Sequence, residues 1–279
     1  MVQASEICQA VAEIAPSRLA ESWDNVGFLL GRSNRDVRRV MTCLTLTNPV
    51  AEEAVRRDVQ LIITHHPILF RGAKRITDET AEGRLLLSLA EAGIVVYSPH
   101  TAFDSAAEGI NQSLAESFGL SQIQPLKSLE EHPGCGSGRF GLLAQPVSRD
   151  DFLKTVCQTV RAEYLEFCPA GPDVVRKAGV ACGAASEFLE YAASAGCDTF
   201  VTGESRFHSV LECQSLGINL ILTGHYCSER PAVEALASKL SPRWPELEFF
   251  ASTSDRDPLS LFIRKSASGS GDRLRLPKS

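Results

Sequence analysis

The sequence predicts an α/β protein made by an internal duplication, and two observations lead there. A strand–helix–strand–helix–strand series occurs twice, and the polar groups able to do chemistry fall at matching points of both copies. Strands that alternate with helices lie parallel in a sheet, because each crossover helix returns the chain to the edge where the next strand starts.

The elements follow in order. The opening MVQASEICQAVAEIAPSRLAESWDN carries acids early and no apolar leader core, so it reads as an amphipathic helix with Ile7, Val11 and Ile14 on one face. In SWDNVGFLLG, Asp24 and Asn25 are expected to turn the chain beside Trp23, either along the rim of a cleft or as a plain helix stop. The first copy then runs as a strand in VRRVMTCLTLT (about 38–46), a helix in NPVAEEAVRR and a strand in VQLIIT ending at His65. A helix in AEGRLLLSLAEAG and a strand in IVVYS, ending at His100, complete it. The second copy runs VVRKAGVACG, SEFLEYAASAG, DTFVT, FHSVLECQSLG and INLILT, closing at Gly224-His225. Both copies consist of continuous apolar strands bounded by Gly or Pro, as a sheet covered on both faces requires. Between them, EHPGCGSGRFGLLAQPVSRDDFLKTVCQTV leads into a further strand and helix. Gly136, Gly138 and Gly141 lack the following GKS/T of a phosphate loop and read as turn glycines, with His132 in the loop before them. The expected division is a first lobe over 1–125 and a second over 126–263 whose last strand can pack back on the first. A flexible tail over 264–279 follows, Ser/Gly-rich and then basic.

Composition narrows the function. With 279 residues, 44% of them hydrophobic, the chain fills one large or two modest globular domains. A net charge of -6 argues against a nucleic-acid or anionic-membrane surface. No stretch approaches the roughly 18 consecutive apolar residues of a membrane span. Nine cysteines, an odd number with no CxxC pair, exclude a disulfide framework and a Cys-rich zinc knuckle. Cys43, Cys182 and Cys213 lie in apolar segments as small hydrophobes, and the expected location is a reduced cytoplasm.

The candidate site residues lie where strands run out. LIITHHPILF ends an apolar run in His65-His66, and adjacent side chains on extended backbone point to opposite sides. The two imidazoles therefore suit two ions better than one. His100 is followed four residues later by Asp104, and His225 four residues later by Glu229, a step that brings both members of a pair onto one face of a turn. Loops at the carboxyl ends of parallel strands are where open α/β sheets hold ligands. Imidazole and carboxylate without thiolate suit Zn, Mn, Fe or Ni. The expected arrangement is two divalent ions: His65 and Asp104 on one, His66 and His225 on the other, and Glu229 between them. His100 either orients Asp104 without touching an ion or serves as a sixth ligand. His208, with Glu204, could reach the same cleft as a proton carrier.

THHPILF, YSPHTAFD, VTGESRFH and GHYCSE, in this order, resemble the dinuclear-metal family called GTP cyclohydrolase 1 type 2 homolog, also named after a yeast transcription-factor-interacting relative. WDNVGFLLG, GRFGLL and DRDPLSLF extend the likeness over nearly the whole chain. The resemblance implies two similar three-layer α/β/α lobes facing a cleft with two metal ions, the ligand positions His65, His66, Asp104, His225 and Glu229, and a ring-shaped homohexamer. Some relatives insert a domain between the lobes, for which the connection here is too short. Many have Asp at Thr45, HH at Phe207-His208 and GD at Gly203-Glu204.

Two functions follow from this reading. One is a metal-dependent hydrolase that activates a bridging water against a small-molecule substrate, a nucleotide among the candidates, with GTP ring opening implied by resemblance alone. The alternative is a non-catalytic metal-binding scaffold that binds partner proteins or delivers metal; no acidic tail, repeat array or coiled coil favours it.

Overall fold

A computed structural model describes residues 1–262; the expected tail over 264–279 lies outside the described residues. The chain begins with α1 (Ala4–Ile14), whose Ile7 and Val11 are buried, and β1 (Gly27–Leu30). The first repeat is β2 (Arg39–Cys43), α2 (Asn48–Arg56), β3 (Leu61–Thr64), α3 (Ala81–Glu91) and β4 (Val95–Ser98). Helix α2 carries Pro at its start, where the missing N–H costs nothing. In α3 the Thr80 side chain accepts from Gly83 N at 3.0 Å as the cap. The segment after β4 holds α4 (His100–Ser105) and α5 (Ile110–Ser117), with Gly109 extended at the start of the second.

The middle of the chain holds β5 (Leu120–Gln124), a small ribbon of β6 (Lys127–Ser128) and β7 (Gly136–Ser137), then β8 (Arg139–Ser148). Gly138 bends the chain as expected, whereas Gly136 lies in β7 and Gly141 within β8, where an added Cβ would fall 2.7 Å from the Ser121 carbonyl. Helix α6 (Arg149–Thr159) and β9 (Glu166–Cys168) lead into the second repeat: β10 (Val174–Ala181), α7 (Leu189–Ser194), β11 (Thr199–Thr202), α8 (Phe207–Leu216) and β12 (Asn219–Leu222). Helix α9 (His225–Leu240) and β13 (Glu248–Ala251) close the described chain.

The two repeats have one topology. In each, three consecutive strands pair in parallel, β2-β3-β4 and β10-β11-β12, and the strand preceding the repeat pairs antiparallel with its third member, β1 with β4 and β9 with β12. The strand that follows each repeat crosses to the other sheet. Strand β5 pairs with β8 in the second sheet, and β13 pairs with β2 in the first. The helices before these strands cross with them, so α5 packs on β8 and β10 while α9 packs on β2 and β13. The first sheet therefore joins strands from both ends of the described chain, β1–β4 and β13, while the second takes its edge strand β5 from just after the first repeat.

Burial follows from this exchange. The facing sides of the two sheets share one core through Ile63, Val95, Phe103, Leu114, Val180 and Leu236. The outer faces have separate cores, under α2 and α3 around Met41, Ile62 and Leu89, and under α7 and α8 around Phe200, Leu189 and Cys213. Strands β3, β4 and β11 are buried along their whole length, as covering on both faces demands. All nine cysteines are free thiols, and Cys43, Cys182 and Cys213 are buried. Among the described residues no helix is long and apolar enough to cross a membrane.

The crossing segment is locked by two carboxylates. Glu53 of α2 accepts from Ser252 Oγ at 2.6 Å, Thr253 N at 3.0 Å, Thr253 Oγ1 at 2.9 Å and Ser254 N at 2.9 Å. Asp255 accepts from Arg230 of α9 at 2.7 Å and from Leu44 N at 2.5 Å. Burial opposes ionisation of Glu53, but the bonds from Ser252, Ser254 and Thr253 outweigh it and lower its pKa from 4.5 to about 2. A depressed folded pKa contributes stability above the unfolded value and loses it as pH falls through the folded one. Glu53→Gln is expected to lower the unfolding free energy by about 3 kcal/mol near neutral pH. The deficit should shrink as pH falls from 4.5 toward 2, read by urea unfolding at each pH; a deficit constant across that range would contradict the assignment.

Candidate metal centre

Three strand-to-helix junctions bring the ligand candidates together. His65 and His66 follow β3, His100 and Asp104 lie on α4, and His225 and Glu229 lie on the first turns of α9. The four-residue steps are thus helical, and each pair projects from one helix face. His66 Nε2, His225 Nε2 and Glu229 Oε2 form a triangle with sides of 3.1, 3.1 and 3.3 Å. An ion about 2.0–2.1 Å from tetrahedrally placed donors separates them by roughly 3.3–3.4 Å, so the triangle suits one. The other oxygen of Glu229, Oε1, stands 3.9 Å from His65 Nε2, and Asp104 Oδ1 stands 3.6 Å from the same nitrogen. Donor atoms of His65, His66 and His100 also lie within 4.8 Å of one another.

His65 is the telling residue. It is 3% exposed, and neither ring nitrogen has a hydrogen-bond partner in the protein. A buried polar atom left unpaired costs on the order of 1–3 kcal/mol. A cation bound at one nitrogen removes part of that cost, and the surrounding imidazoles and carboxylates are donors of the right kind.

The remaining histidines are held from behind. Thr45 Oγ1 lies 2.7 Å from His66 Nδ1, and Glu204 Oε1 lies 3.0 Å from His225 Nδ1, leaving both Nε2 atoms facing the cluster. Where Nε2 accepts a metal, Nδ1 carries the proton and donates it to these oxygens. Thr45 therefore does the work of orienting His66. Asp24, whose side chain is wholly buried, bonds His100 Nδ1 at 2.8 Å and Thr101 N at 3.2 Å. His100 adopts a positive φ of 29°, a strained conformation for this residue that its surroundings must enforce. Its bond is to Asp24, and Asp104 is held instead by Cys182, which donates to Oδ1 at 3.4 Å. Asn111 donates to the Asp104 carbonyl at 3.1 Å and accepts from Cys182 N at 2.8 Å, tying α4 to the end of β10.

Other expectations land elsewhere. His208 is exposed on α8 with its ring against Phe207, and it lines none of the cavities that reach the histidine cluster. Glu204 does reach the site, as the support of His225. The sequence reading passed over Gly183. Its φ is +66°, and a Cβ there would come within 2.4 Å of Glu229 Oε1, so only glycine leaves room for that carboxylate. Its place after an apolar strand was visible, but the close approach was not.

The sequence profile of the family described as Duf34/NIF3 (NGG1p interacting factor 3) matches residues 2–258. The chain belongs to this family. A Clostridium perfringens relative of this Duf34/NIF3 chain, named GTP cyclohydrolase 1 type 2 homolog, is 29% identical over 255 residues, 91% of this chain and 97% of its own length. The NIF3 homolog of Schizosaccharomyces pombe is 33% identical over 272 residues, covering 92% of this chain and 97% of that one. The crystal structure of a Bacillus cereus protein related to NIF3 matches with a TM-score of 0.82 at 20% identity, over 94% of this chain and 99% of that one, and shows the same fold.

Electrostatics separates the two candidate carboxylates of this Duf34/NIF3 chain. Burial, followed by repulsion from Glu229, raises Asp104 to about 7. Burial also opposes ionisation of Glu229, but hydrogen bonds from His225 and His66 outweigh it and hold its pKa below the usual range. The bond to Glu229 raises His225 to about 9 against the pull of desolvation, while burial drives His65 well below its ordinary value. In Asp24, bonds from His100 and Thr101 overcome desolvation and lower the pKa to about 2.

Two outcomes are expected. A protonated His225 must lose its proton to bind metal, so affinity should rise with pH up to about 9 and then level. Calorimetry at about pH 7.5 in buffers of different ionisation enthalpy should register at least one proton released per chain, and buffer-independent heats would contradict this. Separately, Asp24→Asn should weaken metal binding about 10–100-fold with the fold intact, because His100 loses its anchor; unchanged Zn titrations would leave Asp24 a structural turn residue.

Proposed function

We propose that the chain is a metal-dependent hydrolase that uses two divalent ions, Zn, Mn, Fe or Ni. His65 and Asp104 would hold one ion, His66 and His225 the other, and Glu229 would join them. The observation that carries this reading is His65, buried with both ring nitrogens unpartnered, beside the oxygens of Asp104 and Glu229. The division of Glu229, with Oε2 toward His66 and His225 and Oε1 toward His65, supports a bridging role. Bound divalent ions supply Lewis acidity and a water acidified enough to attack near neutral pH. The chain's own part is to keep the imidazoles oriented, through Thr45, Glu204 and Asp24. A cavity of about 640 Å³ opens beside His66, Asp104, His225 and Glu229 and offers room for a small substrate. Hydrolytic ring opening of the kind named for the relatives is one reaction of this class. The same reading includes assembly as a homohexamer.

Elemental analysis after gentle purification should find more than one equivalent of metal per chain, and a firm single equivalent would overturn the two-ion assignment. A screen of the Mn-, Zn- and Fe-loaded protein against nucleotides, phosphoesters and cyclic amides should give turnover that His65→Ala abolishes. Full metal content with no turnover anywhere would favour the non-catalytic scaffold.

A further inference from the structure

The cavity beside the metal centre carries more aromatic surface than folding requires. Trp23, Phe70, Phe188 and Tyr191 all line it, and three of them stay exposed: Trp23 by 59%, Phe70 by 48% and Tyr191 by 43%. Large rings left open around a concave polar site mark a surface meant to be covered by a ligand.

Their arrangement gives that ligand a shape. Trp23 and Phe70 meet edge to face at 5.9 Å, and each is also edge-on to His100, at 6.3 and 6.4 Å. His100 in turn lies 5.2 Å from the His65 ring and 5.7 Å from the His66 ring. One aromatic wall therefore runs straight into the candidate ligand histidines. Phe188 and Tyr191, with centroids 5.9 Å apart, belong to the segment that follows β10 past Gly183, so the second pair comes from the other lobe. Aromatic faces favour flat, polarisable rings that stack on them.

Charge limits the ligand further. Beyond the ligand cluster, the cavity is lined among the described residues by a single cation, Lys127, against the carboxylates Glu21 and Glu187. A polyphosphate tail would meet more repulsion than attraction there, because its charge needs several fixed donors.

We propose that this cavity binds a planar ring compound bearing at most one negative charge, held by Trp23 and Phe70 of one lobe and Phe188 and Tyr191 of the other, with its edge toward the metal centre. The proposal deepens the hydrolase reading and rests on it for the ring's reaction, whereas the binding itself needs no turnover.

Trp23 is the natural reporter. The chain has two tryptophans, and Trp244 stacks on Phe249 away from this cavity, so Trp244→Phe leaves Trp23 as the single indole. Zn-loaded Trp244→Phe protein is titrated with guanosine, uridine, ribose 5-phosphate and GTP at matched free Zn. Saturable quenching by the nucleosides, none by ribose 5-phosphate and weaker binding of GTP than of guanosine are the expected results. Phe70→Ala and Tyr191→Ala, each added to that background, should weaken guanosine binding roughly 5- to 100-fold with metal content unchanged. The proposal is overturned if no planar ring quenches Trp23, if the two variants bind like their parent, or if GTP binds tenfold tighter than guanosine. Saturable binding with no turnover anywhere in the substrate screen would leave it standing and favour the scaffold over the hydrolase; hydrolysis of a non-planar substrate without quenching would overturn it and leave the hydrolase reading.

Discussion

Two carboxylates and four imidazoles crowd into one partly buried junction, and the rest of the molecule is arranged around that fact. Asp104 and Glu229 raise the cost of each other's charge, and His65 sits beside them with no proton partner of its own. Such a cluster is unfavourable unless positive charge enters it. A proton on His225 supplies part of that charge, which is why its pKa climbs while that of Glu229 falls. A divalent cation satisfies the same demand at more donors at once. The polar network behind the site, Asp24 to His100, Thr45 to His66 and Glu204 to His225, then acts to keep the donors aimed inward.

The duplication explains why the site is shared and why it is asymmetric. His100 and Asp104 follow the third strand of the first repeat, and His225 and Glu229 follow the third strand of the second. The second strands have diverged. After Thr64 the first repeat places His65 and His66, and after Thr202 the second places Gly203 and Glu204. A Cβ at Gly203 would fall 2.8 Å from Ser228 Oγ of α9 and 2.6 Å from the Gly183 carbonyl, so no side chain fits where His65 stands in the other copy. The crossing of α9 and β13 onto the first sheet fills that space. It also welds the lobes: Arg230 on α9 reaches Asp255, which binds Leu44 N just past β2, beside Thr45. The helix that carries His225 and Glu229 is thereby fixed to the strand end of the other repeat.

Arg139 shows the same economy from the opposite side. Its guanidinium, buried without a carboxylate, donates to the carbonyls of Gly136, Gly138 and Ala106 at 2.6–2.7 Å. It binds the chain just past α4, the helix that carries Asp104. Buried arginine spends its donors well on backbone carbonyls that a helix end would otherwise leave unpaired.

By itself the sequence determined the alternation of strands and helices, the two repeats, the position of His65-His66 at a strand end, and the two four-residue steps from His100 to Asp104 and from His225 to Glu229. All of these depend on spacing along a few residues, and backbone periodicity translates such spacing directly into a face or an edge. Only the tertiary structure decided that Asp24 holds His100 across 76 positions, that Thr45 and Glu204 brace the two facing imidazoles, and that His208 stays outside on α8. It alone decided the exchange of β5 and β13 and the need for glycine at position 183. Those outcomes depend on which surfaces meet after the two lobes fold against each other, and contacts between distant segments leave no local pattern to read.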